Sequence, residues 1–385
     1  MQQKKIRVAV LYGGRSGEHE VSLASAASVI RNLDQERFEV VPIGIDKQGA
    51  WWLNDLKQLP LDTVGQPLPL KTSQTVALTA PGQLVAAVAN TAIAKSTAHK
   101  ERTEGRPFDV AFPVVHGTLC EDGSLQGLLD SMNVAYVGAG VLGSAIGMDK
   151  DVAKRLAVAN GIKVAPYIVI KHGAWQNEMA YFTKLISDQL HFPVFVKPAN
   201  TGSSVGIHKV KSVEELATAV NDSFLYDTKI LVEKALNVRE IELSVLENSQ
   251  YGSQPLVSIP GEIVPQHEFY SYAAKYLDKD GARLLIPAPL SETQVKQAQQ
   301  MAAQIFEVLE CEGMARVDLF LDKQSDEFYF NEINTLPGFT QISMYPKLWQ
   351  ASGIAYQDLL SRLIELALAR FERKQNLKRE WAIEQ

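Results

Sequence analysis

At 385 residues the chain is long for one compact domain and fits two or three. Hydrophobic residues make up 46% and charged residues 21%, an ordinary globular balance, and a net charge of −6 argues against nucleic acid as the main partner. No apolar run approaches membrane-spanning length, and the two cysteines, Cys120 and Cys311, do not make the disulfide framework of a secreted protein. A cytoplasmic protein acting on small molecules, with no membrane and no nucleic acid among its partners, is expected.

The first element, "IRVAVLY" (6–12), is a continuous apolar strand bounded by Gly13-Gly14. Its six-residue apolar run is too short for a signal-peptide core. "EVSLASAASVIRNL" (20–33) has helical spacing, and "FEVVPIGI" (38–45) is a second strand. Strand, helix, strand of these lengths reads as a parallel βαβ unit. Residues 59–95 are rich in Pro, Thr, Gln, Ser and Ala, which predicts an insertion of loops and short elements. "DVAFPVVHG" (109–117) and "AYVGAG" (135–140) return to buried strands, and "SAIGMDKDVAKRLAVANG" (144–161) reads as one helix closed by Gly161. After it come short runs, 192–199, 228–236, 239–247 and 255–264, whose tight breaks suggest antiparallel sheet. A long amphipathic helix (291–309), a hairpin pair (314–322 and 327–334) and a closing helix (355–371) follow.

The hairpin pair carries the clearest chemistry. In "FYFNEINTLPG", Glu332 and Asn334 stand two apart and share one strand face. If "ARVDLFLD" pairs with this run, Asp318 stands beside them and Arg316 joins the same face. Two carboxylates and an amide without His or Cys suit a hard cation such as Mg²⁺. The competing reading is a wet face with an ion pair; four such groups between apolar residues favour the cation. Lys197 ends a buried strand before "PANTGSSVGI", where Gly202, Ser203, Ser204 and Gly206 supply flexible backbone and hydroxyl donors of the kind that wrap phosphates. The sequence contains no GxxxxGK[ST], so this is not a Walker loop. Lys150 begins a helical stretch, and a surface lysine is equally open. Glu233 and Glu240 bracket a short turn where they could read an adenine amino group and a ribose hydroxyl; a charged hairpin is the plainer reading. Glu18 and Glu20 sit at a strand-to-helix turn, where acids suit a helix N-terminus whatever the function. His116 follows a strand at the end where ligands bind in α/β sheets. "HEFYSYAAKY" (267–276) has the polar, aromatic character of a lid.

The motifs "LYGGRSGEHEVSL", "HGTLCEDGSLQG", "KPANTGSSVGI", "EFYSYAAKYLD", "ARVDLFLD" and "NEINTLPGFTQISMYP" occur in an order and spacing that resemble the D-alanine–D-alanine ligase family of the ATP-grasp superfamily, in its longer subgroup. The resemblance spans nearly the whole chain. It implies an α/β fold, α+β in the ATP-binding part, with a three-domain ATP-grasp architecture. The domains implied are an N-terminal substrate domain (1–138), a central ATP-grasp part (139–236) and a C-terminal catalytic part (237–385) with a lid near 265–282. It implies ATP and two Mg²⁺ (or Mn²⁺) ions, D-alanine as substrate, and a homodimer.

Position by position, the resemblance makes Asp318, Glu332 and Asn334 the metal ligands. Lys150, Lys197 and Ser204 are implied phosphate contacts, with Lys275 reaching the γ-phosphate from the lid. Glu233, Lys234, Leu236 and Glu240 fall in the adenine and ribose region. Glu18 is the implied ammonium partner of the first D-alanine, in a hydrogen-bonded set with Ser203 and Tyr276, and His116 lies near that substrate. Arg316 and the Gly338 N–H are the implied oxyanion donors, and Ser343 and Met344 line the second D-alanine. Two departures stand out. Cys120 occupies a usual Gly position in "HGTLCEDG", where a positive φ would be costly. Tyr276 favours a peptide bond over an ester. Rival readings are another ATP-grasp ligase, including one that makes the D-lactate ester, and a nucleotide sensor without catalysis. The sensor would be expected to lose metal ligands, and all three positions are filled.

Overall fold

The computed structural model describes residues 4–61, 67–68, 70, 74–79, 83–86, 107–265 and 282–379. The apolar runs at the N-terminus form β1 (Ile6–Gly13) and β2 (Phe38–Ile45), parallel and in register from Ile6 opposite Phe38 to Gly13 opposite Ile45. Between them α1 (His19–Asn32) crosses over and buries Leu23, Ala26, Val29 and Ile30 against the sheet. β6 (Val110–Pro113) and β7 (Ala135–Tyr136), joined through α2 (Ser124–Ser131), extend the sheet in parallel on the β1 side. On the other side stand antiparallel β3 (Trp51–Leu53), β4 (Gln74–Thr79) and β5 (Gln83–Ala86). The described part of the polar insertion is therefore a hairpin that widens the first sheet.

The run read as one helix over 144–161 is two: α3 (Val141–Met148) and α4 (Lys150–Ala159). Asp149 breaks it, with extended backbone (φ −85°, ψ 99°) and a side chain that accepts from the N–H groups of Asp151 and Val152. A carboxylate that caps the next helix competes with continuing the previous one. The break starts α4 at Lys150 and so points that lysine into the site.

A second sheet, order β10-β9-β11-β8, is antiparallel: β8 (Tyr167–Lys171), β9 (Val194–Pro198), β10 (His208–Val210) and β11 (Lys229–Lys234). α5 (His172–Gln189) and α6 (Val213–Ser223) cover it through Trp175, Ile186, Leu216 and Val220. The third sheet, order β15-β14-β12-β16-β17, contains β12 (Val238–Leu246), β14 (Gly261–Pro265), β15 (Ala282–Leu285), β16 (Met314–Asp322) and β17 (Phe328–Asn334). The run read as one strand over 255–264 is split: β13 (Leu256–Val257) pairs with β12 separately from β14. The long helix α7 (Glu292–Val308) starts on a capping box between Ser291 and Gln294 and buries Ala298, Ala302, Ile305 and Phe306 against this sheet.

α8 (Met344–Ala351) and α9 (Tyr356–Gln375) turn back onto the first sheet. Leu360, Leu363 and Ile364 of α9 share one apolar core with Val10, Phe112 and Val29. Buried Arg370 fastens the join, donating to the carbonyls of Gly138 at 2.6 Å and Tyr136 at 2.7 Å. The last helix thus braces the N-terminal sheet against the third, where the site lies. No helix among the described residues is long and apolar enough to cross a membrane.

Candidate active site

Two cavities meet beside the N-terminus of α4. The larger, about 770 Å³, runs between the second and third sheets and is lined by Lys197, Ser204, Glu233, Lys234, Leu236 and Glu240 among others. The smaller, about 250 Å³, lies under the first sheet and is lined by Glu18, His116, Arg316, Asn334, Gly338, Ser343 and Met344 among others. Lys150, Ser203 and Glu332 line both. A group in one cavity is therefore adjacent to a group in the other along this seam.

The strand pair β16–β17 builds the floor. Asp318 stands opposite Glu332 and Arg316 opposite Asn334, so the four side chains share a face. Asp318 is 9% exposed, which overturns the wet-face reading. Arg316 donates to both Asp318 oxygens at 2.7 Å, and Glu242 of β12 stands 3.1 Å from the Arg316 Nε. Burial would lower the arginine, but the charges of Asp318 and Glu242 outweigh it and hold the guanidinium proton well above the usual range. Lys150 donates to the Thr201 carbonyl at 2.6 Å and lies 3.5 Å from Glu332. Asp318 lines neither cavity; it sits just behind Arg316.

The donor set fits a divalent cation. Among the described residues, Arg316 lies against Glu242 and Asp318 and Lys150 lies 3.5 Å from Glu332, which gathers three carboxylates around these two cations. The oxygens of Asp318, Glu332 and Asn334 are hard donors. Among the described residues no group of three or more His, Cys, Asp or Glu side chains is arranged to hold a metal, so such an ion would take its remaining ligands from water or phosphate oxygens.

In the larger cavity the charge balance reverses. Glu233, 1% exposed, is no surface hairpin acid. Its Oε2 is hydrogen-bonded to Lys197, and its Oε1 lies 2.6 Å from Lys154. Burial alone would raise its pKa, but the two lysines hold it down to about 2. Burial draws the Lys154 ammonium down from the usual lysine range, and the charge of Glu233 opposes that shift. The loop after β9 holds Ser203 and Ser204 in left-handed backbone (φ 52° and 60°). Each such residue costs on the order of 1 kcal/mol, a strain that concentrates at ligand clamps. Ser203 Oγ donates to Glu18 Oε1, tying this loop to the first sheet.

In the smaller cavity His116 is buried, its Nδ1 3.0 Å from the Leu336 carbonyl and 3.5 Å from Glu121. Burial pulls its pKa down, but Glu121 and Glu18 raise it above the ordinary value. Gly338 lies where a Cβ would stand 2.8 Å from Ser343 Oγ, so the turn after β17 closes this tightly only with glycine. The Ser343 hydroxyl accepts from the Thr340 N–H at 3.0 Å. The costly positive φ considered for Cys120 falls instead on its neighbour Leu119 (φ 67°). Cys120 is buried, and burial pushes its thiol up to about 12, which leaves it unreactive. Lys275, Tyr276 and the other residues of the expected lid from 266 to 281 lie outside the described residues.

Lys154, Glu242, Glu121 and Thr201 belong to these clusters and were not singled out as site residues by sequence reasoning. Two of them left a signal. Lys154 is four residues from Lys150, one helical turn on. Glu242 alternates with Glu240 along a strand.

Three sheets, the last two closing on a nucleotide-sized cavity from both sides, are the ATP-grasp architecture, and solved structures agree in fold. The D-alanine-D-alanine ligase from Coxiella burnetii superposes with a TM-score of 0.76 at 34% identity, covering 97% of each chain. The VanG D-Ala:D-Ser ligase from Enterococcus faecalis gives 0.77 at 31% identity, covering 94% of this chain and all of that one. Family profiles described as D-ala D-ala ligase N-terminus and C-terminus match residues 7–139 and 156–365. The D-alanine–D-alanine ligase A of Bradyrhizobium diazoefficiens is 52% identical over 383 residues, covering 98% of this chain and 99% of its own. The chain belongs to the D-alanine–D-alanine ligase family.

Proposed function

We propose a division of labour among these residues for the family's reaction, the ATP-dependent joining of two D-alanines. The chain is a D-alanine–D-alanine ligase: ATP and two D-alanines become ADP, phosphate and D-alanyl-D-alanine, a peptidoglycan precursor. What carries the assignment of roles is that Lys150 and Glu332 line both cavities, so a phosphoryl group and a carboxylate can meet between them. We assign ATP to the larger cavity, its base and ribose against Glu233, Lys234, Leu236 and Glu240, and its phosphates against Lys150, Lys197, Ser204 and, from the lid, Lys275. Both D-alanines occupy the smaller one. The domain limits proposed are 1–138, 139–236 and 237–385. The enzyme is further proposed to be a cytoplasmic homodimer.

Glu18 takes the ammonium of the first D-alanine, with His116 nearby, which turns its carboxylate toward the seam. A carboxylate oxygen attacks the γ-phosphorus, the bond to the ADP oxygen breaks, and an acyl phosphate forms. Lys150 and Lys197 balance charge on the transferring group. Asp318, Glu332 and Asn334 would hold two Mg²⁺ (or Mn²⁺) ions, whose chemistry when bound is to neutralise phosphate charge. The second D-alanine lies against Ser343 and Met344, and its amine nitrogen attacks the acyl carbon. Arg316 and the Gly338 N–H receive the oxyanion that develops. The carbon–oxygen bond to phosphate then breaks, phosphate leaves with the bonding pair, and the nitrogen's proton passes to the departing phosphate. The Glu18–Ser203–Tyr276 set closes the site over the intermediate and excludes water, which would hydrolyse it. Phosphate release from ATP, measured with D-alanine, L-alanine and D-lactate, tests the reading. D-alanine alone should give rapid release and a dipeptide product; equal release with D-lactate would sink the assignment of a peptide-bond maker.

A further inference from the structure

Lys154 has no part in the chemistry just described, and its side chain is 1% exposed. It lies one turn along α4 from Lys150, but it points inward, behind the wall of the larger cavity. Its ammonium meets Glu233 Oε1 at 2.6 Å and the Phe330 carbonyl at 3.3 Å. Burying an ammonium carries a desolvation cost that a methionine of similar length would avoid. A stability role alone therefore does not account for the charge.

Charge accounting at Glu233 does. A single carboxylate facing a single lysine would be a closed pair, with Lys197 neutralised and held to Glu233. Here one carboxylate holds two lysines, so the cluster retains one positive charge. Lys154 is sealed off, and Lys197, at 10% side-chain exposure, is the member that reaches the cavity. We infer that Lys154 is a positioning residue for the nucleotide: by engaging one oxygen of Glu233 it leaves Lys197 an uncompensated charge toward the phosphate chain and pins Glu233 at the cavity wall. The inference rests on the nucleotide reading of the larger cavity. It makes α4 a two-headed element, with Lys150 acting at the seam and Lys154 from behind the wall.

The test uses the full-length protein with Lys154→Met, Lys197→Met and the double variant Lys154→Met/Glu233→Gln. Calorimetry with inorganic tripolyphosphate and Mg²⁺ reads the phosphate subsite without a base, and steady-state kinetics read ATP and D-alanine separately. K154M should weaken tripolyphosphate binding and raise the KM for ATP by about tenfold or more, the range for losing a charge-assisted contact. The KM for D-alanine, and kcat at saturating ATP, should stay within about twofold, a split that general loosening of the fold would not produce. In the double variant the carboxylate is gone as well, so Lys197 regains its free charge and the tripolyphosphate Kd should return most of the way to that of the unaltered protein. The double variant also lacks the buried carboxylate that K154M deprives of its second partner, so it carries the test if K154M does not fold. An unchanged tripolyphosphate Kd in K154M, or a double variant binding no better than K154M, overturns the inference while K197M still weakens binding. If K197M also binds normally, the nucleotide reading itself fails and the inference with it.

Discussion

At the wall of the larger cavity one carboxylate, Glu233, holds two ammonium groups, while beside the smaller cavity Glu242, Asp318 and Glu332 share Arg316 and Lys150. The first cluster is buried, whereas in the second Glu242 and Asp318 are buried and the Glu332 side chain is 32% exposed. Among the described residues the first sets two cations against one carboxylate and the second sets two cations against three carboxylates, which suits polyphosphate at the first and metal cations at the second. Buried charge of one sign is tolerated when a ligand of the other sign completes it. The two cavities meet at a seam where Lys150 and Glu332, 3.5 Å apart, line both. Phosphoryl transfer needs both kinds of cluster within reach of one phosphorus.

The contrast breaks most visibly at Glu332. Changing it to Gln keeps the shape but removes the charge that would hold a metal at the seam. Turnover should fall roughly 10³-fold, the scale of losing a main electrostatic stabiliser, while D-alanine still binds. A magnesium titration of kcat is the check, and normal activity at limiting Mg²⁺ would remove Glu332 from the ligand set. Next comes Arg316→Met, which takes away an oxyanion donor and leaves Asp318 and Glu242 without their shared cation. We expect kcat to drop roughly 10²-fold or more and stability to fall by about 3–5 kcal/mol. Chemical denaturation beside single-turnover kinetics separates the two losses; a stable variant with full kcat would contradict the oxyanion role. Glu18→Gln is a milder change. It should raise the KM for D-alanine about tenfold and leave that for ATP unmoved. Equal changes in both would assign Glu18 to closing the loop through Ser203 instead of to the ammonium.

The negative cluster was far more legible in the sequence than the positive one, for a physical reason. Arg316, Asp318, Glu332 and Asn334 lie in two short runs joined by a tight turn, so that the two runs pair is legible from proximity. The i, i+2 spacing puts Arg316 with Asp318 and Glu332 with Asn334, and a bulge between Asp318 and Leu319 shifts the register so that the two pairs share a face. Glu233, Lys197 and Lys154 come from two different strands and a helix, so nothing local brings them together. On local evidence Glu233 read as a charged turn. The parallel β1–α1–β2 unit is clear from unbroken apolar runs, whereas β8 and α5 leave little pattern in the sequence. "YIVIK" is only five residues long, and α5 buries only Trp175 and Ile186 and carries a non-helical Glu178 inside it. The break at Asp149 was hidden because a helix-capping acid and a mid-helix acid look alike until the backbone is seen.

The gentlest test of the contrast is acid. Glu233 titrates near 2 when folded and in the usual glutamate range, about 4.3, when unfolded. A carboxylate whose folded pKa is depressed adds stability that is fully present above the unfolded value and is lost as pH falls through the folded one. Its contribution, on the order of 3 kcal/mol, should therefore be intact at neutral pH and disappear between about pH 4.3 and 2. Urea midpoints measured across that window for the unaltered protein and for Glu233→Gln give the answer. The two curves should converge as the pH drops, because protonation makes Glu233 as neutral as its replacement. Curves that stay parallel would mean that Glu233 is protonated in the folded protein already. In that case the wall of the larger cavity would hold two uncompensated lysines, and the difference between the two clusters would be greater than the ion pairs suggest.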